Sequence, residues 1–596
     1  MGDARETSNL TEDKTEEISQ TEIMSRLQRS RMEELAAMNS TVPLDKLVVP
    51  ADADIRLLMR PLSPGHMVRD PKAMPLTLRA EVTDDEEAAH RVLAVHQTRR
   101  DVNYTVNIPN YSNPHHWLSC VLFYDPTSDH QVLVNRSNVP FTLTRISLVP
   151  EERCGESYTV NPDFNKSLAP GTWRINMDGT DLLDFRIVER RQAWLRAPPS
   201  SSSSDMSVTS EGVNSLGKRS FVASDADPIN PEKKRRSSQP PGNKKEDNVI
   251  MFLPNKNNQL ATTSKNKALT KVTGHPLLDL LVDETLEVPD GPDLVGYTIT
   301  KKEKLYASSL SSVFTAEYSG VPGQRVVCKV LRTNPAQIAN NENALARNLI
   351  RQAQTWLGEL ERHEQFKHNS IVRLYNYDAR YLSLYMEHFD GYDLKKEGVW
   401  RSTTTELFIG DRADAMRILR DITNVLHYVH AKGYVHNDLK PANILYNRER
   451  GGVLCDFGHT TQKTATSSGG TPWYIPPEFI GLKQRGCPAD VWALGVVMLY
   501  VMGKLPFPES RANADHPRRV HFTIAHVNDS RRREAQSRAV TSMRQWLGEI
   551  NAVRGGLDLH DKLERVVHGM LAPNPRERLT TREVLNELFV EQLMER

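Results

Sequence analysis

Two patterns of apolar and polar residues divide the chain. From about residue 54 to 195, short runs rich in β-branched and aromatic residues, such as YTVNI, WLSCVLFY, QVLVN and PFTLTRISLV, alternate with turns rich in Asp, Pro, Ser and Gly. Such runs with such punctuation predict an all-β sandwich. From about residue 289 to 596, strand-like runs come first and helix-like runs follow. That order predicts an α+β domain.

Two other stretches are predicted to be disordered. Residues 1–53 are polar, apart from one helix-like patch, and residues 196–288 form a linker with APPSSSSSD and SSQPPGNKKED. The linker holds basic clusters at 218–219 and 233–236, which resemble a bipartite nuclear import signal. We therefore expect contact with the nuclear import machinery and a nuclear location, with the cytoplasm otherwise. The alternative is a solvated run of charges.

Composition narrows the picture further. A length of 596 residues suggests two or three domains, and a net charge of +1 provides no general attraction to nucleic acid or membrane. The longest apolar run, 491–503, is too short to span a bilayer and predicts a buried helix. The polar N-terminus has no signal-peptide core, and the five cysteines show no paired or metal-ligand spacing. We expect a soluble intracellular protein.

The second domain contains charged residues in the order that phosphoryl transfer requires. That reaction needs cations for nucleotide phosphates, oxygen ligands for a metal, and an aligned hydroxyl. Lys329 lies in the strand-like run VVCKVLR, and Glu359 follows in a helix-like run. An ion pair between them would place the Lys on phosphate oxygens. The run LSLYMEHFDGYDL suits an adenine-binding hinge, where the carbonyl of Glu387 and the N–H of Phe389 would read the base.

The stretch GYVHNDLKPANILYN concentrates three polar side chains within six positions, namely Asp438, Lys440 and Asn443. Shortly after it, GVLCDFGH presents Asp456 at the end of an apolar strand, where a carboxylate can hold Mg²⁺. Taken singly, each of these residues would more often be a turn residue or a solvated charge. Their ordered occurrence together favours a catalytic site.

These segments together resemble the eukaryotic protein kinase domain over roughly half of the chain. The resemblance implies a bilobal fold, ATP and Mg²⁺ as cofactors, and transfer of the γ-phosphoryl group to hydroxyls of protein substrates. The stretch DLKPAN and Thr471 in GTPWY are similar to Ser/Thr kinases. A protein substrate with Ser or Thr is therefore the expected partner.

The resemblance also implies a role for each matching residue. Lys329 would contact the α/β-phosphates with Glu359 fixing it, Asp438 would orient the substrate hydroxyl and accept its proton, and Lys440 would neutralise the transferring group. Asn443 and Asp456 would hold the metal. The ATP-binding set comprises Lys329, Ser308, Ser311, Val313, Glu387, Phe389 and Asp393. The structural set comprises Glu478 and Arg578, as the buried ion pair of the large lobe, and Asp490.

The glycine-rich loop expected before Lys329 departs from the family pattern. Its aligned stretch is YASSLSSV, in which Tyr306, Ser308 and Ser311 stand at the three glycine positions. Glycine lets backbone approach phosphate closely and adopt positive φ. Ser still offers a backbone N–H, so we expect weakened ATP affinity rather than its loss.

Two further departures concern His363 and Asn437. His363 stands four residues after Glu359, at a position that is usually apolar and joins the two lobes. A buried His is costly without a hydrogen bond, so either this contact is wetter or the helix register differs. Asn437 replaces the Arg that normally pairs with a phosphate on the activation segment. Our hypothesis is a domain that is constitutively competent or gated by another region.

Two functions stay open at this point. An active Ser/Thr kinase is favoured because pseudokinases commonly lose one of the catalytic residues, and all are present here. The alternative is a nuclear pseudokinase that serves as a scaffold for phosphoproteins without efficient phosphotransfer.

The first domain is similar to a forkhead-associated domain, a β-sandwich that reads phosphothreonine peptides. The similarity rests on residues in RRDVNYTVNIPNYSNPHHWL and LVNRSNVPFTL, namely Arg100, Ser112, His115 and Asn138. It implies that Arg100 and Ser112 bind phosphate and Asn138 grips peptide backbone. The alternative is plain protein contact, with Arg100 as a surface charge. The layout as a whole resembles that of DNA-damage checkpoint kinases.

Overall fold

The computed structural model describes most of both predicted domains. The described residues are 42–50, 53–62, 72–79, 89–108, 117–146, 156–196, 269–271, 274–291, 293–335, 340–465, 469–481, 485–513 and 519–593. The basic clusters at 218–219 and 233–236 lie outside them, as do Ser112 and His115. The described parts before Ala197 and after Leu269 belong to one compact unit.

Residues 55–187 form two antiparallel sheets that share a core. In chain order the strands are β1 (Ile55–Pro61), β2 (Ala73–Arg79), β3 (Ala89–His96), β4 (Asn103–Ile108), β5 (Leu118–Tyr124), β6 (Gln131–Asn135), β7 (Phe141–Ile146), β8 (Ser157–Val160), β9 (Asn165–Leu168), β10 (Gly171–Met177) and β11 (Thr180–Ile187). Among the described residues, one sheet has the order β2-β3-β1-β11-β10-β7-β8 and the other β4-β5-β6-β9.

The core of this β-rich domain lies between the two sheets. In β4, Tyr104, Val106 and Ile108 are buried and the residues between them are partly exposed, so period-two alternation determines which face points inward. They belong to one buried cluster with Trp173 and Phe185 of the seven-stranded sheet. The apolar alternation of the sequence therefore corresponds to a real two-layer β structure.

The small lobe of the second domain is a twisted antiparallel sheet with one long helix. Its strands are β12 (Trp194–Arg196), β13 (Leu269–Lys271), β14 (Thr285–Val288), β15 (Tyr297–Ala307), β16 (Ser311–Tyr318), β17 (Arg325–Leu331), β18 (Leu374–Asp378) and β19 (Ser383–Glu387), in the order β13-β12-β14-β15-β16-β17-β19-β18. Helix α1 (Glu342–Gln365) follows β17 and is capped by the side chain of Asn341, which accepts from the backbone of Ala344.

The large lobe is mainly helical. Its helices are α2 (Arg412–Ala431), α3 (Cys487–Val501), α4 (Ile524–Val527), α5 (Arg533–Gly555), α6 (Lys562–Met570) and α7 (Thr581–Leu593). Its short strands are β20 (Tyr392–Asp393), β21 (Tyr434–Val435), β22 (Ile444–Asn447), β23 (Gly451–Leu454) and β24 (Thr461–Gln462). Most of the apolar run 491–503 lies in α3, whose residues are nearly all buried, as predicted. Within the described part of the chain, no helix combines the length and apolarity needed to cross a bilayer.

The structure differs from the predicted disorder at both ends of the linker and near the N-terminus. Strands β12, β13 and β14 extend the small-lobe sheet, and Leu277 and Leu280 are buried in its core. Leu44 and Leu47 are buried beside the β-rich domain. In all three places a short run with apolar residues adjoins a long polar stretch. The overall composition of the region therefore predicted disorder, whereas tertiary contacts order these short runs.

Candidate active site

Lys329 lies at the centre of the candidate site. It projects from β17 opposite Val313 of β16. Its Nζ donates to Oε1 of Glu359 at 2.7 Å and to Oδ1 of Asp456 at 3.1 Å. Burial favours the neutral amine, but the carboxylates of Asp456 and Glu359 outweigh it and raise the pKa of Lys329 above its usual value. The Lys is therefore charged and fixed between helix α1 and the segment after β23.

Asp456 is held in a left-handed backbone conformation, with φ of 65°. Its Oδ1 also accepts from the N–H of Gly458 at 3.2 Å. Burial opposes ionisation, but Lys329 and this N–H hold the pKa of Asp456 well below its usual value. The side chain is a carboxylate at neutral pH.

Arg362 is a residue that sequence reasoning missed. Its Nε donates to the carbonyl of Phe457 at 3.1 Å and its Nη2 to the carbonyl of Gly458 at 3.0 Å. It stands three positions after Glu359, on the same side of α1. That helical spacing was the one available signal. Helix α1 therefore holds both Lys329 and the backbone beside Asp456.

The catalytic-loop residues form a closed hydrogen-bonded group. Lys440 Nζ donates to Asp438 Oδ2 at 2.7 Å and to Thr471 Oγ1 at 2.9 Å. Thr471 in turn donates to Asp438 Oδ1 at 2.7 Å. Asn443 Nδ2 donates to the carbonyl of Asp438 at 2.8 Å. Asp438 is thus buried and oriented by three side chains, two of which the sequence assigned to catalysis or metal binding.

Asn437 connects the catalytic loop to the activation segment without a charge. Its φ is 66°, a conformation that Asn tolerates better than most residues. Its Nδ2 donates to the carbonyls of Val435 and His459, each at 3.1 Å, and to Thr461 Oγ1 at 2.9 Å. A neutral amide here occupies the position where the family usually places an Arg.

Asp490 supports the same loop from α3. It accepts from the backbone N–H of His436 at 2.8 Å and of Asn437 at 2.9 Å, and from His430 Nε2 at 2.9 Å. Burial disfavours the imidazolium, but hydrogen bonding to Asp490 outweighs it and raises the pKa of His430 to about 9. The His430–Asp490 pair is therefore charged at neutral pH.

Contacts between three rings join the two lobes. The ring centroid of Phe457 lies 5.2 Å from that of His363 and 5.5 Å from that of His436. His363 Nε2 hydrogen-bonds the carbonyl of Val372 at 2.7 Å, and burial lowers the pKa of His363. A neutral, hydrogen-bonded His thus fills the usually apolar position. Since Glu359 reaches Lys329, the alternative of a shifted helix register does not hold.

The predicted structural ion pair is present deep in the large lobe. Arg578 donates from Nη1 to Glu478 Oε1 at 2.8 Å and from Nη2 to Oε2 at 2.9 Å. Its guanidinium also lies over the ring of Trp492, 5.1 Å from the centroid. This bidentate pair fixes the segment after Thr471 against α3.

The phosphate-loop candidates form a tight turn between β15 and β16. The N–H of Ser308 donates to the carbonyl of Ser311 at 2.8 Å. The Oγ of Ser308 accepts from the N–H groups of Leu310 and Ser311, both at 3.1 Å. These are backbone donors of the kind that bind phosphate in such loops. The Ser308 side chain therefore occupies donors that a nucleotide would need.

The hinge candidates begin with Glu387, the last residue of β19. Phe389 is buried, and the side chain of Glu387 is paired with Arg450 at 2.8 Å. Asp393 Oδ1 accepts from the N–H of Lys395 at 3.0 Å, and burial raises the pKa of Asp393. Asp393, which the sequence assigned to ATP binding, is thus a partly buried carboxylate that accepts a hydrogen bond from its own loop.

Two phosphopeptide candidates that the structure describes, Arg100 and Asn138, do not come together. Arg100 lies just before β4 begins, whereas Asn138 lies just after β6 ends. Because β4 and β6 each pair antiparallel with β5, they run in the same direction, and these two positions lie at opposite ends of the sheet. A strand of this length spans about 20 Å. Arg100 instead binds Glu364 of α1, with Nη2 and Oε2 2.8 Å apart.

Comparison with known proteins agrees with this geometry. The protein kinase domain family model matches residues 309–590. The chain is 31% identical over 155 residues to an Aurora/IPL1-related protein kinase 2 of Caenorhabditis briggsae, covering 25% of this chain and 49% of that protein. It is 34% identical over 160 residues to the serine/threonine-protein kinase PLK4 of Drosophila ananassae, covering 25% and 20%.

A third relative is the calcium/calmodulin-dependent protein kinase type 1 of Caenorhabditis elegans, 28% identical over 222 residues, or 36% of this chain and 58% of that protein. The chain thus spans between a fifth and somewhat over half of the length of these relatives. The matched region contains Lys329, Glu359, Asp438 and Asp456 in the contacts described above. Residues 309–590 form a protein kinase domain.

Proposed function

We propose that the chain is an active Ser/Thr protein kinase that transfers the γ-phosphoryl group of ATP to hydroxyls of protein substrates. The observation that carries the proposal is the position of Lys329 Nζ, which bridges Glu359 at 2.7 Å and Asp456 at 3.1 Å. One cation thereby joins the phosphate-binding strand, helix α1 and the metal-binding segment. In this reaction class, catalysis is mostly positioning and charge stabilisation.

The chain's own residues account for the remaining needs of the reaction. The carboxylate of Asp438 would accept a hydrogen bond from the substrate hydroxyl and take its proton. Lys440 bonds the same carboxylate, so it would place a positive charge beside the transferring group. Thr471 hydrogen-bonds both side chains and so fixes their relative position. By the resemblance, it also supports a preference for Ser and Thr.

The donor set near Asp456 fits Mg²⁺. Asp456 offers an ionised carboxylate, and Asn443 donates its Nδ2 to the carbonyl of Asp438, which leaves its side-chain oxygen for another partner. Carboxylate and amide oxygens are the hard ligands that Mg²⁺ prefers. When bound, the metal neutralises charge on the nucleotide phosphates. These two residues would hold it.

The pseudokinase alternative draws on one observation, the Ser308 turn. Its side chain satisfies two backbone N–H groups that ATP phosphates would otherwise use. We infer weak nucleotide affinity from this, not absence of chemistry, because the catalytic groups form a complete and mutually bonded set. A high concentration of ATP would compensate for a weak affinity of the protein for the nucleotide.

We propose a nuclear location on the basis of the basic clusters at 218–219 and 233–236. Replacing residues 233–236 by Ala in the full-length protein should shift a fluorescent fusion from the nucleus to the cytoplasm. An unchanged distribution would remove the import signal.

We also propose that the β-rich domain, which resembles a forkhead-associated domain in its sequence, has that fold, and its two antiparallel sheets support the proposal. Phosphothreonine binding through Arg100 together with Asn138 is not part of the proposed function, because the sheet separates them. Arg100→Ala should therefore leave phosphothreonine-peptide binding unchanged in a titration with the full-length protein. A loss of binding would return Arg100 to a ligand site.

The test of the proposed function is transfer of radiolabelled phosphate from ATP to a general protein substrate. The full chain should transfer phosphate to Ser and Thr, and Asp438→Ala should lower the rate at least about 100-fold, as for loss of a general base. Asp558→Ala is the matched control, since Asp558 is an exposed carboxylate in the turn after α5. Equal signals from the full chain and Asp438→Ala would contradict the proposal.

A further inference from the structure

We propose that the β-rich domain is a built-in clamp on helix α1, which keeps Glu359 against Lys329 in the absence of any phosphate on the activation segment. The clamp is the outer face of β4, β5, β6 and β9 together with residues 99–102. The inference rests on the proposed kinase function and names how its active arrangement is maintained. It assigns to the β-rich domain an intramolecular role.

The clamp has an apolar centre. Val102, Phe123 and Val134 of the β-rich domain are each at most 3% exposed, and they share one buried cluster with Leu349 and Trp356 of α1. Apolar residues of α1 recur every three or four positions, which forms a stripe along the helix. That stripe is covered by the small-lobe sheet and by the four-stranded sheet together. Helix α1 is therefore held between two sheets.

Ion pairs fix both ends of the helix. At the C-terminal end, Arg100 Nη2 lies 2.8 Å from Glu364 Oε2, and Arg100 Nη1 lies 3.4 Å from the hydroxyl of Tyr377. At the N-terminal end, Lys166 Nζ lies 3.9 Å from Glu342 Oε2. Each pair is partly exposed and individually weak. Placed at opposite ends of one helix, they resist its rotation and translation.

The loop that leads into α1 is also held. Thr333 is buried, and its hydroxyl donates to Asp125 Oδ1 at 3.1 Å and lies 3.0 Å from Thr127 Oγ1. Thr333 follows Lys329 by four residues. The same β-rich loop thus fixes the chain between the phosphate-binding Lys and the helix that supports it.

The face of α1 next to this stripe contacts the candidate active site. Glu359 pairs with Lys329, Arg362 holds the carbonyls of Phe457 and Gly458, and His363 packs against the ring of Phe457. A displacement of α1 would therefore disturb Lys329, the backbone beside Asp456 and the ring contact of Phe457 at the same time. Since Asn437 carries no charge for a phosphate, the clamp provides ordering that the activation segment does not receive from such a pair.

A charge swap in the full-length protein tests the clamp. Arg100→Glu and Glu364→Arg should each speed amide hydrogen exchange across residues 342–365 about fivefold, because like charges then face each other. The double variant should return exchange to within about twofold of the unmodified protein. Phosphotransfer should fall and recover in parallel. Arg136→Glu is the control, because Arg136 pairs with Asp163 in an exposed position after β6.

Hydrogen exchange keeps this test independent of the proposed function. If no variant transfers phosphate but α1 exchange changes and is rescued, the clamp stands and the kinase proposal fails. If α1 exchange is unchanged in both single variants, or the double variant exchanges as fast as the faster single variant, the clamp is contradicted.

A second variant avoids charge reversal. Thr333→Val has nearly the same shape but removes the hydrogen bonds to Asp125 and Thr127, so it should fold and should also speed exchange in α1 several-fold. Thr355→Val, on the exposed side of α1, is its control. Equal exchange in the two variants would contradict the role of Thr333.

Discussion

Two loops of the same domain differ in what their polar groups bind. One is the catalytic loop, which contains Asp438, Lys440 and Asn443, and the other is the turn from Ser308 to Ser311, here called the phosphate turn. In the catalytic loop, Lys440, Thr471 and Asn443 are all directed at Asp438, so the charged groups are aligned for a reaction. In the phosphate turn, the hydroxyl of Ser308 binds the N–H of Leu310 and of Ser311, so donors for a nucleotide are occupied internally. The groups proposed for the reaction can therefore be complete while the proposed affinity for the nucleotide is weak.

The largest expected effect comes from removing Lys329, the cation that links Glu359 of α1 to Asp456. Lys329→Met should lower kcat/KM for ATP about 1000-fold, because Asp456 and Glu359 would lose their shared counter-charge and the phosphates their cation. Steady-state phosphotransfer measures it. Lys302→Met is the matched control, since Lys302 lies on β15 and pairs with Asp283 and Glu317. A change within threefold for Lys329→Met would mean that the reaction does not depend on the Glu359–Lys329–Asp456 contact.

The second-largest effect is expected at His430, which pairs with Asp490 and so supports the catalytic loop. The pKa of His430 is raised to about 9 by Asp490 despite burial, whereas an unfolded His titrates near 6.5. Its stabilisation is therefore complete below pH about 6.5 and is lost as the pH rises through about 9. Between these limits, the unmodified protein should lose roughly 3 kcal/mol more of its free energy of unfolding than His430→Gln.

Urea denaturation at several pH values measures this difference. His560→Gln is the control, because His560 is exposed in the turn before α6. Parallel stability curves for His430→Gln and the unmodified protein would show that the imidazolium does not stabilise the loop.

A smaller effect is expected at the phosphate turn, and it has the opposite sign. Ser308→Gly should lower the KM for ATP about fivefold, because the N–H groups of Leu310 and Ser311 become free for phosphate. Ser309→Gly adds the same flexibility to the turn without removing those bonds, so it should change KM much less. If both variants behave alike, backbone flexibility and not donor occupancy controls the affinity.

The smallest effect is predicted for the activation segment. Replacing Thr464, Thr466, Ser467 and Ser468 together by Ala should leave kcat within about twofold, because Asn437 offers no cation to a phosphate. Activity before and after phosphatase treatment of the unmodified protein gives the same comparison. A large loss in either experiment would contradict a domain that is competent without such a phosphate.

Much of the candidate site could be predicted because its residues occur in short motifs in a fixed order along the chain. Lys329, Asp438, Asn443 and Asp456 each belong to such a motif, and the structure brings Lys329 to Asp456 and Asn443 to Asp438. Contacts that depend on how elements face each other could not be predicted. The bonds of Arg362 to the backbone after Asp456 are one example, since helical spacing alone does not say what a helix packs against.

The β-rich domain shows the same limit more strongly. Its alternating pattern predicted strands, and the strands are there, but the pattern did not show at which end of a sheet each loop lies. Arg100 and Asn138 were grouped by spacing along the chain, and the direction of β4 and β6 separates them. The buried residues after 269, such as Leu277 and Leu280, were missed because their short apolar run directly follows a long polar linker, and contact with the small-lobe sheet orders it.

The central claim is that the chain retains the chemistry of phosphoryl transfer but binds nucleotide weakly. One ATP titration of phosphotransfer by the full-length protein, from about 10 μM to about 10 mM, tests both parts. We expect saturable transfer with kcat of about 1–100 s⁻¹, which is typical of protein kinases, and a KM at or above about 1 mM, the upper end of the usual range. Absence of transfer at every concentration, or saturation at a few micromolar ATP, would contradict it.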